Sequence, residues 1–182
     1  MHPDRSLPTL EARARRLRAL VARRPPPKGA SGALRPAEEA ALAAFEARHD
    51  LALPPEYRMA LRIVGDGGWR AGSAWHLPPL ARAHRLRPIS GSYDAKIGGY
   101  TRWMEADLTR DFPFTETWGP GAPEKDWELG DRGVLYLGTA GCTMQYLLVV
   151  RGPAYGQVWY DDLGADGPLM PVAPEFLDWC GV

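Results

Sequence analysis

The chain has 182 residues and a mass of 20.1 kDa, with 45% hydrophobic and 24% charged residues, the make-up of one globular domain rather than a disordered chain. No apolar run approaches the roughly 18 residues of a membrane helix, and two cysteines cannot build a disulfide framework or a multi-cysteine zinc site. The zero net charge hides a split: residues 1–102 hold 18 Lys and Arg against 9 Asp and Glu, and residues 103–182 hold 4 against 13.

The opening Met1-His2-Pro3-Asp4-Arg5 lacks the apolar core of a signal peptide, so a cytoplasmic protein is expected. The bias to Arg, Ala, Gly and Pro is that of a GC-rich bacterial genome. Leu7, Leu10, Ala14, Leu17 and Val21 recur at steps of three and four, which predicts a helix over residues 7–24 with one apolar stripe. Such a stripe implies docking, on the rest of the chain or on a second subunit. Pro25-Pro26-Pro27 must end that helix, and residues 25–32 read as a linker. The expected division is therefore a helix and Pro-rich linker over 1–32, followed by a main domain over 33–182.

Two further helices follow, over about 36–49 and 54–64. Pro36 suits a first helical position and Glu38 and Glu39 suit a first turn. Gly65-Asp66-Gly67-Gly68 then breaks the chain. A short strand is expected at 74–77. Residues 81–111 read as irregular, with a short helix near 101–108. Phe112–Thr115 reads as an edge strand, because Pro113 cannot donate to a central ladder. The continuous apolar runs at 134–137 and 144–150 are expected as central strands buried on both faces, and 157–160 as a returning strand. Pro174 opens a last short helix carrying Phe176, Leu177 and Trp179. Helices first and strands later predict an α+β fold, with N-terminal helices packed beside a mainly antiparallel sheet and a short C-terminal helix.

No motif dictates a catalytic site. Cys142, in a turn between two strands, is the best candidate nucleophile, with His49, His76 or His84 as a base, but no spacing brings any of them to it. A small buried hydrophobe is the commoner role for a cysteine. Four scattered histidines give no metal-ligand spacing. The glycine-rich break follows a helix and lacks a Lys-Ser/Thr pair, so it is a turn rather than a phosphate cradle. The arginines of the first helix form no single stripe, which argues against specific nucleic-acid binding. No catalytic residue, cofactor or metal is expected.

The order of features from residue 34 onward resembles the SUKH superfamily, which includes the Smi/Knr cell-wall regulators and many bacterial immunity proteins. The residues that carry it are Phe45-Glu46, the run Leu53-Pro54-Pro55-Glu56-Tyr57-Arg58, and the break at Gly65–Gly68, where Asn is more usual than Asp66. Further along come Leu77–Leu80, Phe112-Pro113-Phe114 with Trp118, Gly133–Cys142, Leu147–Gly152, Gly156–Asp161 and Phe176–Trp179. The resemblance implies a non-enzymatic protein-binding domain without a cofactor. Its expected role is a bacterial immunity protein that neutralises a cognate toxin, such as a nuclease or deaminase. The alternatives are a regulatory or scaffold module of the Smi/Knr type with several partners, and a thiol enzyme using Cys142. For a protein partner, the acidic half offers Glu124, Asp126, Glu128, Asp161, Asp162 and Asp166 in two expected loops, with Trp118 and Trp127 in or beside the first. Neither the partner nor the oligomeric state is legible.

Overall fold

A computed structural model describes residues 6–25, 34–72, 74, 76–88, 93–94, 99–100, 103–119, 124–141, 144–163 and 167–182. It is an α+β fold. Helix α1 spans Leu7–Ala22, α2 Glu39–His49, α3 Pro55–Ile63 and α4 Phe176–Trp179. Two small antiparallel pairs come first among the strands: β1 (Arg85–Pro88) with β4 (Trp103–Glu105), and β2 (Tyr93–Asp94) with β3 (Gly99–Tyr100). The main sheet is an antiparallel meander in the order β5-β6-β7-β8, formed by Val134–Thr139, Gln145–Val149, Val158–Asp161 and Leu169–Ala173.

Both faces of this sheet are covered, which is why all five residues of β6 are buried. On one face Leu135, Leu137, Leu148 and Val158 join the core built by α1, α3 and α4. On the other, Val134, Leu147, Val149 and Trp159 pack with Phe112, Leu163 and Leu169. Strand alternation produces this division, since successive side chains point to opposite faces.

The α1 stripe docks on its own chain: Leu10, Ala14, Leu17 and Val21 are buried against α3 and α4, while Leu7 is exposed. Two arginines fix the helix. Arg13 pairs with Glu175 at 3.2 Å and Asp178 at 2.6 Å, and donates to the Val182 carbonyl oxygen at 2.8 Å. Arg18 donates to the carbonyl oxygen of Ile63, an acceptor at the end of α3 that has no partner within its own helix.

The break after α3 is held by Asp66, whose Oδ1 accepts the Leu80 N–H at 2.6 Å and so caps a 3-10 helix at Leu80–Arg82. An asparagine presents the same acceptor. Gly67 has φ +77°, and a Cβ there would lie 2.5 Å from the Pro79 nitrogen. Only glycine meets both demands.

Three expectations are corrected. Residues 74, 76 and 77 are not strand; Leu77 instead donates its N–H to the Trp69 carbonyl in a compact turn. No helix forms at 103–108, where β4 pairs with β1. Phe112–Thr115 is not a strand, although the Phe112 N–H bonds the Arg151 carbonyl at 3.1 Å. The edge strand is β8, with Pro171 in it. Leu169 turns its N–H and carbonyl outward to Trp118, so Pro171, two residues on, lacks a donor on the open side.

Candidate functional site

The pairing register aligns Thr139, Gln145, Asp161 and Leu169 in a row across one end of the sheet. Trp118 extends that row: its N–H and carbonyl exchange hydrogen bonds with Leu169, both at 2.8 Å. The Trp118 ring stacks on Phe114 at 4.6 Å between centroids. Phe114 meets Phe112 edge-on at 5.4 Å, and Phe112 meets Trp159 edge-on at 4.8 Å. Four rings thus run from a half-exposed tryptophan to the centre of the sheet. Such a stack fixes the outermost ring before any partner arrives, so binding costs little additional side-chain entropy.

The segments that carry the two acidic stretches both reach the small core beside this row. The 3-10 helix Glu124–Asp131 approaches β8 through Gly130, where a Cβ would lie 3.2 Å from Leu169 Cδ2. At Gly119, φ is +110° and a Cβ would lie 2.6 Å from Leu163 Cδ2. The segments following Trp118 and following Asp161 therefore share the small core around Leu163 and Leu169.

The named acids differ in what they can offer. Asp161 is 2% exposed: its Oδ2 accepts from Gln145 Nε2 at 2.6 Å and its Oδ1 from the Leu163 N–H at 3.0 Å. It stands in β7, not in a loop, and its carboxylate serves the inside of the fold. Asp162 follows β7 and is half-buried; among the described residues its buried Oδ1 accepts no hydrogen bond. Glu128 is 70% exposed, with Arg132 at 3.4 Å. For Glu124, Asp126 and Trp127 the main chain alone is described; it forms a 3-10 helix, where a loop was expected. Asp166 lies outside the described residues.

Three further acids belong to the loop that leads from the opposite end of the sheet to Trp118, in segments read only as irregular or as an edge strand. Asp107 bridges to Arg132 in the main chain, and hydrogen bonds from the Thr109 hydroxyl and N–H, helped by Arg110 and Arg132, hold its carboxyl below the usual range. Asp111 and Glu116 are exposed. Their loop crosses the second face only because Phe112 and Phe114 anchor it, a long-range effect with no local periodicity to announce it.

Cys142 lies outside the described residues. The His49 and His84 rings lie 6.2 Å apart. Arg151, which follows β6, bonds the carbonyl of Asp50, placing His49 beyond the opposite end of β6 from Met144. Burial lowers the His49 pKa, with the charges of His84 and Arg48 acting in the same direction. Cys180 carries a free thiol that burial pushes up to about 12, so it is protonated and unreactive near neutrality. Among the described residues no group of three or more His, Cys, Asp or Glu is placed to hold a metal ion. Among those residues, too, no helix is long and apolar enough to cross a membrane.

A model of the SMI1 / KNR4 family (SUKH-1) matches residues 36–181. No curated protein and no solved structure matches the chain.

Proposed function

The chain belongs to the SMI1 / KNR4 family (SUKH-1), and from that premise we propose that it is a non-enzymatic, cytoplasmic immunity protein of a bacterium, which binds a cognate toxin and blocks its active site. One observation carries the reading: a preorganised Trp118 ring stands beside converging acidic segments at one end of the sheet. Toxins that act on nucleic acids, such as nucleases and deaminases, are basic where they hold phosphate. An acidic surface centred on an aromatic anchor complements such a site in charge and supplies the residue type most often found at energetic centres of interfaces.

The face comprises Trp118, Glu124, Asp126, Trp127, Glu128, Asp162 and Asp166. Asp161 is left out because its two oxygens are already engaged inside the fold. Residues 1–32 stand as an appendage to the family domain, with α1 serving its stability rather than the partner. The reading predicts a toxin domain encoded in the neighbouring reading frame, and co-expression with that domain tests it. The wild-type chain is expected to restore growth and to co-purify at one-to-one stoichiometry, and the double variant Glu128→Lys, Asp162→Lys to lose protection while melting normally. Undiminished protection by that variant overturns the assignment of the face. Binding to several unrelated cytoplasmic proteins, with no effect on the toxin, replaces immunity with a regulatory or scaffold role.

A further inference from the structure

A groove of about 270 Å³ lies between α2 and the 3-10 helix at Leu80–Arg82, on a part of the chain remote in sequence from the acidic end. Its floor is Leu42, Phe45 and Leu80, all buried, and Ala41 forms part of its rim. The volume is below the range of small-molecule and cofactor sites but accepts one large apolar side chain. Charge marks its two ends. Asp66 lies on the approach to α2, where its N–H bonds the carbonyl of Arg35, four residues before the helix, at 2.7 Å, and Arg48 lies in the last turn of that helix. Asp66 is held in place by the bond from Leu80. Neither Asp66 nor Arg48 forms an ion pair among the described residues.

We propose that this groove docks an extended segment of a partner protein with the pattern cation-x-apolar-x-acid, its apolar side chain seated on Phe45 and Leu80, its cation at Asp66 and its acid at Arg48. The spacing follows from geometry. From Glu39 to Arg48, α2 advances about 13 Å in nine steps of about 1.5 Å each. Four steps of extended chain cover about the same distance, and residues i, i+2 and i+4 of such a chain share one face. A helical partner would need about ten residues to bridge the same two charges, and only its central turn would reach the floor.

The proposal is independent of the acidic face, and the test keeps the two apart. The probe is the capped peptide Lys-Ser-Leu-Ser-Glu, titrated into the full chain and followed by amide chemical shifts. Saturable shifts are expected at Ala41, Phe45, Arg48 and Leu80. Affinity should weaken at least about 10-fold for Lys-Ser-Ser-Ser-Glu, which lacks the anchor, and for the protein variant Ala41→Arg. Ala41 is exposed and arginine is a good helix former, so that variant keeps its fold. Arg48→Glu should reverse the preference, favouring Lys-Ser-Leu-Ser-Lys over the parent peptide. Asp66→Asn keeps the acceptor for Leu80 and should remove only the selectivity for the peptide's lysine. Absence of saturable shifts at these amides up to about 10 mM peptide, a range that includes even very weak binding, overturns the proposal. So does binding that Ala41→Arg leaves intact, or shifts confined to Trp118 and Glu128.

Discussion

Replacing Leu17 by alanine tests whether α1 is part of the cooperative structure. Leu17 is 3% exposed and lies in a row with Leu10, Ala14 and Val21 against α3 and α4. Core Leu→Ala changes cost about 2–5 kcal/mol, the spread reflecting how far the site can collapse. A helix on the outside of the core can settle inward, so about 3 kcal/mol is expected here. For a chain of this size each kcal/mol moves the melting temperature by about 2–4 °C, so the midpoint should fall by about 6–12 °C. Calorimetry of the full chain should show one transition displaced as a whole. Arg16→Ala, on the exposed side of the same helix, should stay within about 0.5 kcal/mol of the parent. Arg13→Ala should cost about 1.5–3 kcal/mol, because it removes charge-assisted bonds to Glu175, Asp178 and the Val182 carbonyl. If Leu17→Ala melts like Arg16→Ala, or displaces only a minor first transition, α1 is a separate unit and its stripe does not belong to the core.

Other outcomes follow from single contacts. Gly67→Ala should destabilise by about 1–3 kcal/mol for its positive φ alone and by more for the clash with Pro78 and Pro79, whereas Gly68→Ala, with the same φ but nothing within 4 Å, should cost clearly less; equal midpoints in denaturant would refute the close approach. Burial raises Tyr57 and pushes Tyr136 and Cys180 each to about 12. The unfolded chain therefore releases these protons first, and stability should hold below pH 9 and fall as pH rises toward 12; a flat profile between pH 9 and 11 would contradict this burial. Trp118→Ala should raise the Kd for the toxin by at least about 30-fold, near 2 kcal/mol, as expected for an anchor at the centre of an interface; a change under threefold would move that centre elsewhere.

The elements legible in the sequence are those whose signal is local and repeated. The α1 stripe and the apolar runs of β5 and β6 appear where expected because each buried face repeats along its own segment. Strand β8 was hidden because Pro168 and Pro171 break its pattern, although the rule that admits proline at sheet edges applies to it as well as to Phe112–Thr115. The strands between residues 85 and 105 are two to four residues long, too short to show a period, and β4 pairs with a segment some 15 residues upstream. At the candidate site, the burial of Asp161 was readable in principle. It lies two residues beyond Trp159, so both side chains share one face of β7, and Trp159 is fully buried there. What no local pattern contains is the close fit of Gly119 and Gly130 against Leu163 and Leu169, more than thirty residues further along the chain.

Association kinetics test most directly whether the chain meets a toxin through the acidic end of the sheet. Stopped-flow mixing of the full chain with the purified toxin domain, at ionic strengths from about 0.02 to 0.5 M, spans Debye lengths from about 20 Å to below 5 Å. The association rate should fall steeply with salt, and a Glu128→Lys, Asp162→Lys double variant should be slow at low salt and nearly salt-independent. A rate that ignores both the salt and the double reversal, in a complex that still forms tightly, would contradict this placement of the interface.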